Sequence, residues 1–193
     1  MGKVILGTTM SLDGFMSNQD GDLSRLYPDL EALQQTESLQ TAIRTTGAVI
    51  LGKRAYAMAD DPDWFVDNYE FQTPIFVLTH HVPEKMPKQS DKLTFTYVTD
   101  GIESAINQAK VAAGDKNVTI VGGASTAQQC LRAGLFDELH IDLRHILLGE
   151  GLRFFEDIGA AQFELENIGV SESPGVTHLT FRVVKLDTGE AQT

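Results

Sequence analysis

Three short, nearly continuous apolar runs constrain this chain most: Ala48-Val49-Ile50-Leu51, Ile75-Phe76-Val77-Leu78 and Val118-Thr119-Ile120-Val121. Runs without polar alternation fit strands covered on both faces, as in the centre of a parallel sheet. Parallel neighbours need crossover connections, and helical patterns lie between the runs. Val4–Met10 reads as an earlier buried strand, followed by a turn at Ser11–Gly14. Asp29–Arg44 reads as one helix with Leu30, Leu33 and Ile43 on a face and Gly47 as its stop. Lys53–Met58 starts another helix, and Pro74–Thr79 and Thr94–Val98 are strands. Asp100 is placed to cap the next helix, with Glu103 completing a capping box. That helix buries Ile102, Ala105, Ile106 and Ala109 and ends near Gly114. Thr126–Ala133 is a short helix stopped by Gly134.

The last third changes character. Leu139, Ile141 and Leu143 alternate with His140, Asp142 and Arg144, as in a half-exposed strand. Phe163–Ser171 and Val176–Leu186 flank Ser173-Pro174-Gly175 and read as a long hairpin. The alternation slips near Asn167-Ile168, which predicts a bulge there. The expected fold is α/β: one mixed, mostly parallel sheet of about eight strands with flanking helices and an antiparallel C-terminal hairpin. A single domain covers residues 1–187, and 188–193 form a polar tail.

Composition limits what such a sheet can serve. The 193 residues carry 15 Lys+Arg against 27 Asp+Glu, a net charge of −12. That field disfavours nucleic acid and anionic membranes, yet a local basic cluster can still hold a small anion. The single cysteine, Cys130, excludes an internal disulfide and a multi-thiolate metal site, and reads as a packed core residue. The histidines contain no His-x-x-x-His pair, so no metal site is expected. Lys3 is followed by only three apolar residues before Gly7, too few for a secretory signal. No apolar run is long enough to span a membrane. A cytoplasmic protein is expected.

In open α/β sheets, ligands bind beyond the carboxyl ends of the strands. Gly52-Lys53-Arg54 follows the first apolar run, Thr79-His80-His81 the second, and Gly122-Gly123-Ala124-Ser125-Thr126 the third. Glycines let backbone N–H groups approach an oxygen-rich ligand, helix N-termini add partial positive charge, and Lys, Arg and His add counter-charge. Each motif alone also fits a plain turn or a solvated pair. Together they describe a phosphate-bearing nucleotide. Neither a Gly-x-Gly-x-x-Gly fingerprint nor a P-loop is present.

Ser11-Leu12-Asp13-Gly14, Val49-Ile50-Leu51-Gly52 with its basic pair, and Ile120-Val121-Gly122-Gly123 before a helix resemble the dihydrofolate-reductase-like superfamily. Ala59-Asp60-Asp61-Pro62 and Leu147-Leu148-Gly149-Glu150-Gly151 resemble, more closely, the C-terminal reductase domain of the bifunctional riboflavin-biosynthesis deaminase/reductase. The resemblance implies a dihydrofolate-reductase-like fold and a homodimer. It also implies NADPH-dependent reduction of 5-amino-6-(5-phosphoribosylamino)uracil or a related heterocycle. Carried over by position, it puts Gly52, Lys53, Arg54 and Tyr56 on the cofactor phosphates and Asp60 on a cofactor contact. Leu78, Thr79 and His80 fall on the adenine and 2′-phosphate side. Gly122, Gly123, Ala124, Ser125 and Thr126 form the pyrophosphate loop. The chain departs from the family at Ala55, where dihydrofolate reductases have threonine. It departs again at Trp64, Asp67 and Val121, where the pathway reductase has leucine, arginine and glutamate. Alternative readings are dihydrofolate reductase activity or a non-catalytic, dimeric nucleotide-binding module.

On the substrate side, Glu37 and Asp13 are the catalytic candidates. Glu37 also fits a solvated helix residue, and Asp13 an Asx-turn before Gly14. Trp64, with Phe65 and Tyr69 beyond it, is placed either to wall a flat heterocycle or to pack a loop.

Overall fold

A computed structural model describes residues 2–159 and 163–184. The strands are β1 (Val4–Ser11), β2 (Phe15–Ser17), β3 (Thr46–Gly52), β4 (Ile75–Leu78), β5 (Phe95–Val98), β6 (Asn117–Val121), β7 (Glu138–Arg144), β8 (Leu152–Arg153), β9 (Glu164–Ser173) and β10 (Val176–Val184). The helices are α1 (Leu30–Gln34), α2 (Glu37–Thr45), α3 (Lys53–Tyr56), α4 (Phe65–Asn68), α5 (Ile102–Ala113) and α6 (Ala124–Ala133). Eight strands form one sheet in the order β5-β4-β3-β6-β1-β7-β10-β9, and β2 pairs with β8 apart from it. β5 to β7 are mutually parallel; β10 and β9 close the edge antiparallel. This is the mixed sheet expected from the sequence.

The apolar runs form the centre because both of their faces are covered. Ile50 packs with Leu6, Ile120 and Leu139 on one side, against Ile106 and Ala109 of α5 and Ala127 and Leu131 of α6. Val49 and Leu51 face the other way, into a cluster with Phe65, Phe71, Val77 and Phe95. Burial of such side chains stabilises the fold by ~1.5–3 kcal/mol each. That second cluster covers only the β3–β4–β5 half of its face. Over β1, β7 and β10 the same face is polar and lines an open cleft. This asymmetry positions the site.

Local chemistry explains where the elements differ from the sequence reading. Asp29–Arg44 is two helices, because Thr36 Oγ1 donates to Leu33 O (2.8 Å), closing α1, and accepts from Leu39 N–H (3.3 Å), opening α2. Gly47 stops nothing; it lies inside β3, where a Cβ would sit 2.7 Å from Ala113 O. α3 ends at Tyr56, short of Met58. The N-cap of α5 is Gly101 at φ 106, so Asp100 lies one residue too early and Glu103 one short of the capping-box position. The bulge is where the alternation slips: Thr180 faces Gly169 and Phe181 faces Asn167, leaving Ile168 unmatched. The expected strand end at Leu186 and the tail at 188–193 lie outside the described residues. No helix among the described residues is long and apolar enough to cross a membrane.

Candidate functional site

The neighbouring strands β3 and β6 end in a cradle of glycines. Gly52 N–H donates to Gly122 O (3.3 Å), joining the two strand ends. A Cβ on Gly52 would collide with Thr126 Oγ1, so only glycine lets the first turn of α6 pack here. Gly122 and Gly123 turn the chain at φ 77 and 49. Gly123 O accepts from Thr126 N–H (3.0 Å) and Ala127 N–H (3.1 Å), starting α6 without a side-chain cap. The amides of Ala124 and Ser125, which open this ten-residue helix, have no backbone acceptor and carry its positive dipole end. Lys53 and Arg54 project from the adjoining turn, exposed, and His80 is exposed beyond β4. Among the described residues neither Lys53 nor Arg54 is in an ion pair. Close-approach backbone, free amides and uncommitted cations fit a dinucleotide's phosphates.

From this cradle an open cleft of about 2320 Å³ runs over the ends of β6, β1 and β7. Single-ligand pockets are ~300–1,000 Å³, so the space suffices for a cofactor and a second molecule. Lys53, Arg54, Asp60, Leu78, Thr79 and His80 line one end, with the Gly122–Thr126 segment beside them. At the centre lies Gly7 of β1, between Val121 and His140 in register. A Cβ there would meet nothing closer than Ile120 O at 3.8 Å, so the missing side chain leaves the floor open.

Two of the sequence candidates lie elsewhere. Tyr56 turns away from the cradle into the core, stacked on Phe65 (5.5 Å) and edge-on to Phe95 and Tyr97. Its hydroxyl pairs with that of Tyr97 at 2.8 Å, and burial pushes its pKa up. Asp13 does not line the cleft. Its Oδ1 accepts from Ser11 Oγ (2.5 Å) and Leu148 N–H (3.1 Å), and its Oδ2 from Gly149 N–H (2.7 Å). Burial pushes the Asp13 pKa up, but these hydrogen bonds outweigh it and hold the carboxyl at about 2. Asp13 is therefore a clamp on the 147–151 loop.

Glu37, in the first turn of α2, is exposed and borders the cleft. Trp64 is 49% exposed and lines the cleft; Phe65, buried, and Tyr69, packed edge-on against it, also border the cleft. Asp67 is exposed at φ 72 and does not line the cleft.

The cleft floor also holds residues with no functional role in the sequence reading: His140 and Asp142, expected on the open face of a half-exposed strand, and Glu138, expected in a solvated loop before it. Glu138, His140 and Asp142 of β7 lie beside Ile5, Gly7 and Thr9 of β1. Glu138, buried, accepts from Lys3 Nζ (2.5 Å) and pairs with His140 Nε2 (3.1 Å). Burial raises its pKa, yet these two partners outweigh it and lower it overall. His178 of β10 is buried opposite Asp142; its Nδ1 lies 2.6 Å from Asp142 Oδ1 and its Nε2 2.9 Å from Ser173 Oγ. The available signal was the His/Asp alternation along β7, with a second His on the following hairpin.

The RibD C-terminal domain family matches residues 2–179, nearly all of this chain. The chain belongs to that family. It is 24% identical over 162 residues to the uncharacterized protein YyaP of Bacillus subtilis, covering 81% of each. Its fold is similar to that of a putative riboflavin biosynthesis protein from Shewanella, with TM-score 0.76 and 21% identity over 95% of this chain and 99% of that one. It is also similar to dihydrofolate reductase from Enterococcus faecalis, solved with NADP(H), with TM-score 0.58 and 17% identity over 95% and 98%. The fold is dihydrofolate-reductase-like.

Proposed function

We propose that this protein is an NADPH-dependent reductase of a nitrogen heterocycle, of the riboflavin-pathway type. The observation that carries the reading is the cradle at the ends of β3 and β6, set beside uncommitted Lys53 and Arg54. When bound, the dihydronicotinamide supplies the hydride. The chain's part is to bind and orient. The free amides at the start of α6 would take the pyrophosphate, and Lys53, Arg54 and His80 the 2′-phosphate. Trp64 and Glu37 would border the substrate. The open floor at Gly7 lets two flat rings approach each other there.

The test is NADPH consumption with 5-amino-6-(5-phosphoribosylamino)uracil, with dihydrofolate for comparison. We expect turnover of the former, and Arg54→Ala should raise KM for NADPH roughly 10- to 100-fold while leaving NADH little changed. Equal losses for the two cofactors would refute the 2′-phosphate role of Arg54. NADPH binding without turnover of either compound would favour a non-catalytic nucleotide-binding module.

The same reading includes a homodimer. β9 is an edge strand exposed over nearly its whole length, with Leu165, Ile168 and Val170 open to solvent, a surface that monomers usually protect. Sedimentation equilibrium should give twice the chain mass; a monomer at micromolar concentration would contradict it.

A further inference from the structure

The side chains on the β7 side of the cleft take no part in the cradle, and they have a chemistry of their own. The Lys and Arg residues lining the cleft are Lys3, Lys53 and Arg54. Lys53 and Arg54 belong to the cradle, and Lys3 is engaged by Glu138. Glu138 is in turn fully engaged, with one oxygen on Lys3 and the other on His140.

Asp142 differs. Its side chain is 29% exposed at the cleft, and only Oδ1 is engaged, by His178. Among the described residues Oδ2 has no hydrogen-bond partner. His178 cannot turn away, since Ser173 holds its other nitrogen and the ring is buried. Asp142 lies in register with Thr9, one strand beyond β1 and two beyond β6. Two interstrand spacings of ~4.8 Å put it about 10 Å from the cradle strand, across the open floor at Gly7. The surroundings are electronegative. Burial, then the charges of Asp142 and Glu70, hold the Tyr27 hydroxyl above its ordinary pKa although it hydrogen-bonds Thr9.

We infer that Asp142, fixed by the His178–Ser173 pair, contacts the substrate and selects a ring that presents N–H donors. This rests on the reductase reading, which puts the substrate on this side of the cofactor. A carboxylate with one oxygen pinned offers the other as a directed, charged acceptor, the stronger kind of hydrogen bond. Arg144, two residues beyond Asp142 on β7, is in no ion pair among the described residues but does not line the cleft, so the lining around Asp142 holds no uncommitted Lys or Arg. His178 is a positioning residue: it fixes the carboxylate.

The test uses 2,4-diaminopyrimidine, which carries amino N–H donors on a flat ring, titrated into the full chain and followed by heat and by the His178 ring resonances. Asp142→Asn keeps Oδ1 as a partner for His178 but removes the charge. Wild type should bind with a shift at His178, and the variant should bind roughly 10- to 100-fold more weakly with its melting temperature little changed. His178→Gln, which leaves the acid unpinned, should give a smaller loss. Absence of a His178 shift in wild type, or equal affinity in Asp142→Asn, would overturn the assignment. If the Asn variant does not fold, the wild-type shift and the His178→Gln affinity decide alone: no shift, or no loss, overturns it. NADPH titration of the same proteins separates the two claims. A wild type that binds NADPH but not the probe overturns only the Asp142 assignment. One that fails to bind NADPH overturns the reductase reading and Asp142's place in it.

Discussion

Both Asp13 oxygens are committed to the chain itself, two of their bonds being to the amides of Leu148 and Gly149. A carboxyl held at about 2 does not donate a proton near neutrality, so Asp13 works as a fastener between the β1–β2 turn and the 147–151 loop. Its folded-state pKa lies below the ordinary 3.8, so its contribution is present above about pH 4 and lost as pH falls toward 2. Asp13→Ala should lower stability at pH 7 by on the order of 1–2 kcal/mol, from the unpaired amides, and flatten the acid limb between pH 4 and 2. Thermal melts across pH check this; an unchanged acid limb would contradict it. The sequence offered Asp13 as either an acid or a turn residue, and only the approach of a loop 135 residues away decides between them. Tyr56 shows the same limit. Its place after Lys53 and Arg54 was legible, but the direction of its side chain depended on Phe65, Phe95 and Tyr97.

Elements were legible where local pattern and global burial agree. The three apolar runs, the hairpin and its bulge are where periodicity predicts them, because each pattern answers to a face that is covered or bare. The split between α1 and α2 was hidden in a single hydroxyl. Thr36→Ala should cost ~1 kcal/mol by removing the α2 cap, read from denaturant midpoints. At the cradle, the Gly52–Thr126 contact couples strand end to helix start. Gly52→Ala should destabilise by about 1–3 kcal/mol and displace the first turn of α6. Adding Thr126→Ala should recover part of that loss, since the offending oxygen is gone. A strictly additive double mutant would show that the contact is not the cause.

Across the whole molecule, the charge of −12 and a small basic cradle coexist because they occupy different places. Acidity does reach the cleft, through Glu138 and Asp142 of its floor and Glu37 and Asp60 at its borders, and not through Asp67. The alternation along β7 marks a polar face, but whether that face meets bulk solvent or a cleft depends on where the helices pack. Gly7 offers a clean probe of the cleft floor. A Cβ at Gly7 meets nothing closer than 3.8 Å on a strand backbone that suits valine, whereas a substitution at Gly123 would also strain a backbone at φ 49. Gly7→Val should keep the fold and weaken NADPH binding at least tenfold by filling the floor; undiminished binding would mean that no ligand crosses β1. Whether the cradle holds a 2′-phosphorylated dinucleotide is read from calorimetric titration of the wild-type chain with NADPH and with NADH. NADPH should bind well below ~1 mM and at least tenfold tighter than NADH. No heat of binding at ~1 mM NADPH, or equal affinity for the two, would contradict it.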